Sequence, residues 1–585
     1  MLKNLTLILI ASILATSCTK KGKDSNKNIV HSFLDANIAH LDPIHSTNKY
    51  SSIINSSIFE GLYHYHYFKR PITLEPQLAE AMPEVSSNGL EYTIKIKKGV
   101  VFQDDPAFEN GKGRELVAED FIFSWKRLAD PKTKALGWWL FDGLIVGLNE
   151  WRDKMREGSV NYESPVAGLQ AIDTHTLKVT LTRKSFQFLH FLATPPTMVV
   201  AKEVVNKYGK EIINHPVGTG AFYLKSWTRN SEVRLVKNPS YREVLYPSEA
   251  SEEIKKAGLL KNAGKRLPLA DEINVKIYTE RQPLWLAFLK GELDHGIIPK
   301  DNYDQVFEND RIKPIFTDRG IGIHYQFRPD VVYLSFNMEN PILGKNKKLR
   351  QALASALDKK LILEKFYNKR GTVAETPIPP GLDAYDPNYK HPVQFDIEKA
   401  KKLMAEAGYP NGKGLPVFDY DLPNVATWAR HFGEYLKDTW SKIGVNIKLQ
   451  TNTWPQFDKK IKTKKATMFD MAWMADYPDS ENFLQLFYSK NISPGPNNSN
   501  FVNREYDDIY EQSVNLKPGP KRTELFKKMR DIINDEMPAI FTVHRIFRLP
   551  YHGWLEGYYE FPIVYEHLKY MSVDKNKKKE LKRKL

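Results

Sequence analysis

The sequence predicts an α/β fold, on three observations. In its second half, stretches with helical apolar spacing precede short alternating stretches, the order that layered α/β proteins require. In its first half, short runs alternate apolar and polar residues with period two, as half-buried strands do. Beyond the N-terminal run, no stretch approaches the roughly 20 apolar residues of a membrane span, so no transmembrane helix is expected.

The elements follow in chain order. Tyr92, Ile94 and Ile96 alternate with polar residues, as do Leu177, Val179 and Leu181, and then Val233 and Leu235. Leu349, Ala352, Leu353, Ala356 and Leu357 form a helical stripe. Asp396 is placed to cap a helix whose Ala400, Leu403, Met404 and Ala407 share a face, with Gly408 as the stop. Trp428, Phe432, Leu436 and Trp440 make a third stripe that ends near Gly444. Val445, Ile447 and Leu449 then alternate as a strand. Gly61, Gly99, Gly218 and Gly220 fit positions where a chain turns sharply.

A chain of 585 residues is long enough for several cores. Its net charge of +15 is uneven. Lys575 to Leu585 holds seven Lys/Arg against one Glu, and Thr19 to Asn28 holds four Lys against one Asp. Terminal charge runs of this kind read as solvated segments, here a basic tail over 575–585. Nucleic-acid binding is not expected, because no basic face interleaved with aromatics stands out.

The N-terminus has the layout of a secretory signal peptide over 1–17. Lys3 supplies the positive charge, Leu5 to Leu14 the apolar run, and Ala15, Thr16 and Ser17 the small residues. Cys18 follows and is the only cysteine, so an internal disulfide is excluded. Leu14-Ala15-Thr16-Ser17-Cys18 resembles a bacterial lipobox, which implies lipidation of Cys18. Residues 18–28 are then a lipidated tether and the protein sits in the periplasm or at the cell surface.

Catalytic signatures are missing. There is no HExxH, GxSxG or GxxxxGK[ST] pattern. Val217-Gly218-Thr219-Gly220 reads as a tight turn and Asp104-Asp105 as turn chemistry. His64 and His66 lack a third metal ligand. No enzyme activity, metal or cofactor is expected.

An ordered set of segments carries a resemblance. Leu41-Asp42-Pro43 and Phe59-Glu60-Gly61-Leu62 come first. LAEAMPEVSSNGLEYTIKIKKGVVFQDD from Leu78 and Val117-Ala118-Glu119-Asp120-Phe121 follow. PVGTGAFYLKSW from Pro216, LRQALASALDKKLI from Leu349, AKKLMAEAGYPNGKG from Ala400 and FDMAWMADYPDSENFLQLFY from Phe469 complete it. In this order they resemble the family 5 extracellular solute-binding proteins, the oligopeptide- and dipeptide-binding class. The resemblance implies a two-lobed periplasmic-binding-protein fold, type II-like and of the large class, with an additional small domain. Lobe one is expected from 29–62, 205–337 and 543–574, the additional domain from 63–204, and lobe two from 338–542.

The function implied is that of a substrate-binding lipoprotein of an ABC transporter, a monomer that hands peptides to a permease and ATPase complex. Ala475-Asp476-Tyr477 matches the segment whose aspartate pairs with the peptide α-ammonium, with Trp473 as a cleft-lining residue, so the resemblance implies Trp473, Met474, Ala475, Asp476 and Tyr477 as ligand-binding residues. Turn chemistry before Pro478 is the alternative role for Asp476, and Asp479 is the competing carboxylate. The rival readings are a non-peptide solute on the same fold (a metal chelate, sugar, haem or opine), a secreted peptide hydrolase, and a chaperone or receptor.

Overall fold

The computed structural model describes residues 27–585 apart from 39, 47, 71, 310, 426 and 562. Cys18, the expected signal peptide and the tether before residue 27 lie outside the described residues.

Val233 and Leu235 are buried from the strand Glu232–Lys237, as their alternation requires. That strand lies in a four-stranded sheet in the order Ile29–Leu34, Glu272–Ile277, Glu232–Lys237, Phe222–Thr228. The first two strands are parallel and the others antiparallel. Gly218 and Gly220 lead into this sheet under the end of the helix Lys49–Ile58. A Cβ on Gly218 would lie 2.1 Å from the Ile58 carbonyl oxygen, and one on Gly220 would lie 2.6 Å from it. Only glycine allows this approach.

The alternating runs around Tyr92 and Leu177 pair in an antiparallel sheet of Glu84–Val85, Glu91–Lys95, Thr176–Thr180 and Leu169–Asp173. Ile94 and Leu177 share a core with Phe121 and Trp125 of the helix Ala118–Ala129. Asp120 anchors the first turn of this helix, accepting the Val117 N–H at 2.9 Å and the Arg114 guanidinium at 2.6 Å. Near its far end, Arg127 donates to Asp42 at 2.7 Å, with both side chains almost wholly buried. This pair ties the small domain to the N-terminal segment.

The third sheet has seven strands. Its path is Ile321–Phe327, Ala539–His552, Asp330–Phe336, Met468–Met474, Phe418–Leu422, Ile447–Thr451, and Gly371–Val373 also pairs with Ala539–His552. One strand therefore serves both lobes. Residues 539–543 of Ala539–His552 pair with Asp330–Phe336, and residues 546–552 pair with Ile321–Phe327. The chain crosses between lobes at 327–330, earlier than the expected boundary at 337 because Asp330–Phe336 is already a strand of the second lobe, and returns at 543–546. These adjacent crossings complete a two-lobed periplasmic-binding-protein fold with an additional small domain.

The helical stripes pack on the large sheet. Asp396 accepts the Lys399 N–H at 2.9 Å, and Ala400, Leu403 and Met404 are buried. Gly408, at φ +88°, ends the helix in the left-handed region. In the helix Thr427–Ser441, Phe432, Leu436 and Trp440 are buried as their spacing requires. Trp428 departs from the stripe and is 46% exposed. It stands in the first turn, which overhangs a cavity between the lobes rather than the sheet.

The basic C-terminal run differs from the expected solvated tail, because Lys575–Leu581 is a helix. Asp574 caps it by accepting the Lys577 N–H at 3.0 Å. Leu581 is buried, and the Lys578 ammonium reaches the buried Asp294 at 2.6 Å. Seven cations in eleven residues mask one apolar anchor and one charge pair, and these two contacts dock the helix.

Candidate functional site in the cleft

The segment Trp473–Tyr477 leaves the large sheet at the crossing itself. Trp473 and Met474 pair in register with Val331 and Asp330, and the Ala475 N–H donates to the Pro329 carbonyl at 2.9 Å. The segment is thus fastened to the chain that joins the lobes. Ala475 and Tyr477 are buried, at 1% exposure each, so their side chains face the core and, unlike the expectation from the resemblance, do not face a ligand. Trp473, Met474 and Asp476 keep part of their surface open.

Asn482, fully buried, organises the segment. Its side-chain oxygen accepts the Trp473 indole N–H and the Asp476 backbone N–H, both at 3.0 Å. Its amide donates to Asp476 Oδ2 at 3.2 Å. The neighbouring acids are already committed. Asp479 is held by the buried Arg522 at 2.7 Å, and Glu481 accepts hydroxyls from Tyr477, at 2.7 Å, and from Tyr510. Asp476 makes no ion pair with a described residue. Burial pushes its carboxyl up to about 6, while the Asn482 hydrogen bond pulls the other way. A partly open carboxylate that burial already disfavours in its charged form, and that has no ion pair with a described residue, is poised to receive a positive charge.

The small domain closes over this segment. Tyr65 bonds His190 at 3.0 Å, and His190 stacks on Tyr477 with ring centroids 6.0 Å apart. Phe191 meets the same ring edge-on. Tyr65, Ala475 and Tyr477 share one core, so the lobes are in contact here.

Next to Met474 the cleft continues past Tyr565, Arg328 and Glu560. A chamber of about 220 Å³ between the lobes adjoins it. The two spaces share Lys49, Ile53, Arg328, Glu560 and His567 in their walls. Several basic residues here have acids beside them: Lys49 with Asp35 at 3.0 Å, Arg545 with Asp330 at 2.7 Å, and Arg328 with Glu560 at 3.7 Å. Burial raises the Glu560 carboxyl, but His567, charged in the acid range where Glu560 titrates, together with Arg328 and Lys49 outweighs it and holds the group at about 2.

Other candidates from the sequence have structural partners. His64 pairs with Glu566 and with Glu75 at 3.3 Å, whereas the His66 ring accepts the Phe68 and Lys69 N–H groups. Asp104 and Asp105 serve turns, accepting the Gly113 and Ala107 N–H groups. Among the described residues, no cluster of three or more His, Cys, Asp or Glu is placed to hold a metal, and no helix is long and apolar enough to cross a membrane. Sequence reasoning missed Asn482, Tyr65, His190 and the chamber cations. Their roles come from contacts between distant segments, and no local spacing signals them.

Two lobes, paired crossings and a buried cleft between them define a solute-binding protein. The chain belongs to the bacterial extracellular solute-binding proteins, family 5, whose model matches residues 73–495. It is 28% identical over 519 residues to "Heme-binding protein A" of Haemophilus influenzae, covering 87% of this chain and 86% of that one. It is 26% identical over 515 residues to the "Dipeptide-binding protein" of Escherichia coli, covering 85% and 86%. Among solved structures it is similar to the periplasmic binding protein DppA of Helicobacter pylori in complex with the peptide STSA. That match has a TM-score of 0.76 at 21% identity and covers 94% of this chain and 98% of that chain.

Proposed function

We propose that this protein captures peptides between two closing lobes and delivers them to the permease and ATPase of an ABC importer. The carrying observation is Asp476, a partly open carboxylate two residues beyond Met474 of the cleft wall, which makes no ion pair with a described residue although both neighbouring acids have partners. The dipeptide-binding relative supports the same reading. Asp476 takes the α-ammonium. Trp473 and Met474 line the cleft, and Ala475 and Tyr477 fix the segment from the core side. Backbone groups in the cleft suit a ligand whose own backbone is common to all peptides.

The test joins solution scattering to product analysis. A bound tripeptide lowers the radius of gyration, since closure buries the ligand, and the peptide is recovered intact. Cleaved peptide from a clean preparation, or an unchanged radius with ligand bound, overturns the proposal.

The lipid anchor is part of the same reading and rests on the position and uniqueness of Cys18. Two or more acyl chains hold a protein stably on a membrane, whereas one binds marginally. Cys18→Ser is expected to shift the protein from the membrane fraction to the soluble or unprocessed pool. A processed mutant that still sediments with membranes as wild type does removes the lipoprotein assignment.

A further inference from the structure

We propose that the chamber beside the crossing strands is an anion site, and that it makes the protein prefer peptides with an acidic side chain in addition to their terminal carboxylate. This rests on the peptide reading above and extends it to a substrate class.

The argument is one of charge balance. Lys49, Arg328 and Arg545 each have one acid beside them. Arg281, Lys300 and Arg370 line the same space and make no ion pair with a described residue. A further basic residue, Arg548, bonds the Tyr303 hydroxyl. With Arg548 set aside, six cations stand against three acids, an excess of at least three in a cavity of about 220 Å³. The histidines in the wall do not add to it, because burial lowers His295, to about 4, and His567 as well, and leaves both neutral at neutral pH. The crowding already costs basicity: burial, then the charge of Arg281, brings Arg370 down to about 10.

Cations enclosed without counter-charge are expensive, and the cost falls when an anion enters. A free terminal carboxylate answers one of the three. The remaining excess suits a second carboxylate, and guanidinium groups match that shape with two parallel donors. The wall is also apolar enough for the carbons that carry such a group. Phe366, Phe432 and the half-exposed Trp428 stand among the cations. The two spaces adjoin at the walls they share around Arg328 and Lys49. A peptide whose ammonium lies at Asp476 therefore points its C-terminal part toward the chamber.

Calorimetry at low salt with Ala-Ala-Ala, Ala-Ala-Glu, Ala-Glu-Ala and Ala-Ala-Lys decides the matter. One of the two acidic peptides is expected to bind at least tenfold tighter than Ala-Ala-Ala, and Ala-Ala-Lys to bind more weakly than it. Arg370→Gln is expected to bring the ratio of acidic to neutral affinity close to one. Equal affinities in the wild type, with Ala-Ala-Ala still dependent on Asp476, overturn the anion preference and leave the peptide reading intact. The same holds if the preference survives intact in a folded Arg370→Gln, Arg281→Gln double variant. Binding of none of the four peptides overturns the peptide reading, and this inference with it.

Discussion

Asp476→Asn is expected to weaken a free peptide by about 30-fold to a few thousand-fold at neutral pH. Removing one member of a buried charge pair typically costs about 2–5 kcal/mol, and about 1.4 kcal/mol is tenfold in affinity. Asp479 cannot substitute, because Arg522 already holds it. Acetylating the peptide N-terminus removes the same contact from the other side, so on the wild type it has a comparable effect. The two changes together fall well short of additive, which calorimetry on the double cycle measures directly. Equal affinity for free and acetylated peptides sinks the assignment. The pH dependence provides a second handle. In the empty site burial holds Asp476 at about 6. A bound ammonium favours the charged form and lowers that value. Affinity is therefore highest between about pH 6 and the α-amino group's own pKa of about 8, and falls by up to about tenfold per unit below that window. A flat profile from pH 7 to 5 contradicts the pairing.

The second large effect is on stability. Arg127→Leu strips the charge partner from Asp42 while both positions stay buried. Breaking a buried pair on one side costs about 3–5 kcal/mol, because the remaining charge is left without compensation. The loss appears as an earlier urea transition of the small domain and its contact with the N-terminal segment. Combining it with Asp42→Asn recovers a substantial part, since the pair's own net worth is small. A single variant as stable as the wild type shows that water reaches Asp42.

Much of the fold is legible in the sequence, and for clear reasons. Burial of one face forces a period, so Ile94, Leu177, Leu235, Ala400 and Leu436 announce their elements and their inward side. A period does not reveal what the face meets. Trp428 shares the stripe of Phe432 and Leu436, yet its turn overhangs a cavity. The C-terminal run reads as charge alone, because its docking depends on Leu581 and on Asp294 far upstream. The candidate site divides in the same way. Asp476 and Trp473 stand out through a resemblance, whereas Asn482, which binds both, has no signature of its own. The chamber is not legible at all. Its cations come from lobe one, lobe two and the strand between them, and only folding brings them together.

The strand Ala539–His552 sets a rule of parity for the gene. Its two halves belong to ladders in different lobes, and side chains along a strand alternate faces with a period of two. Loss or gain of a single codon between 543 and 546 would turn every downstream residue to the opposite face of its sheet in one lobe while the other stayed correct. A change of two codons preserves the faces and alters only the reach. The crossing can therefore vary in composition, as Arg545 does when it contributes charge to the chamber, far more readily than in length.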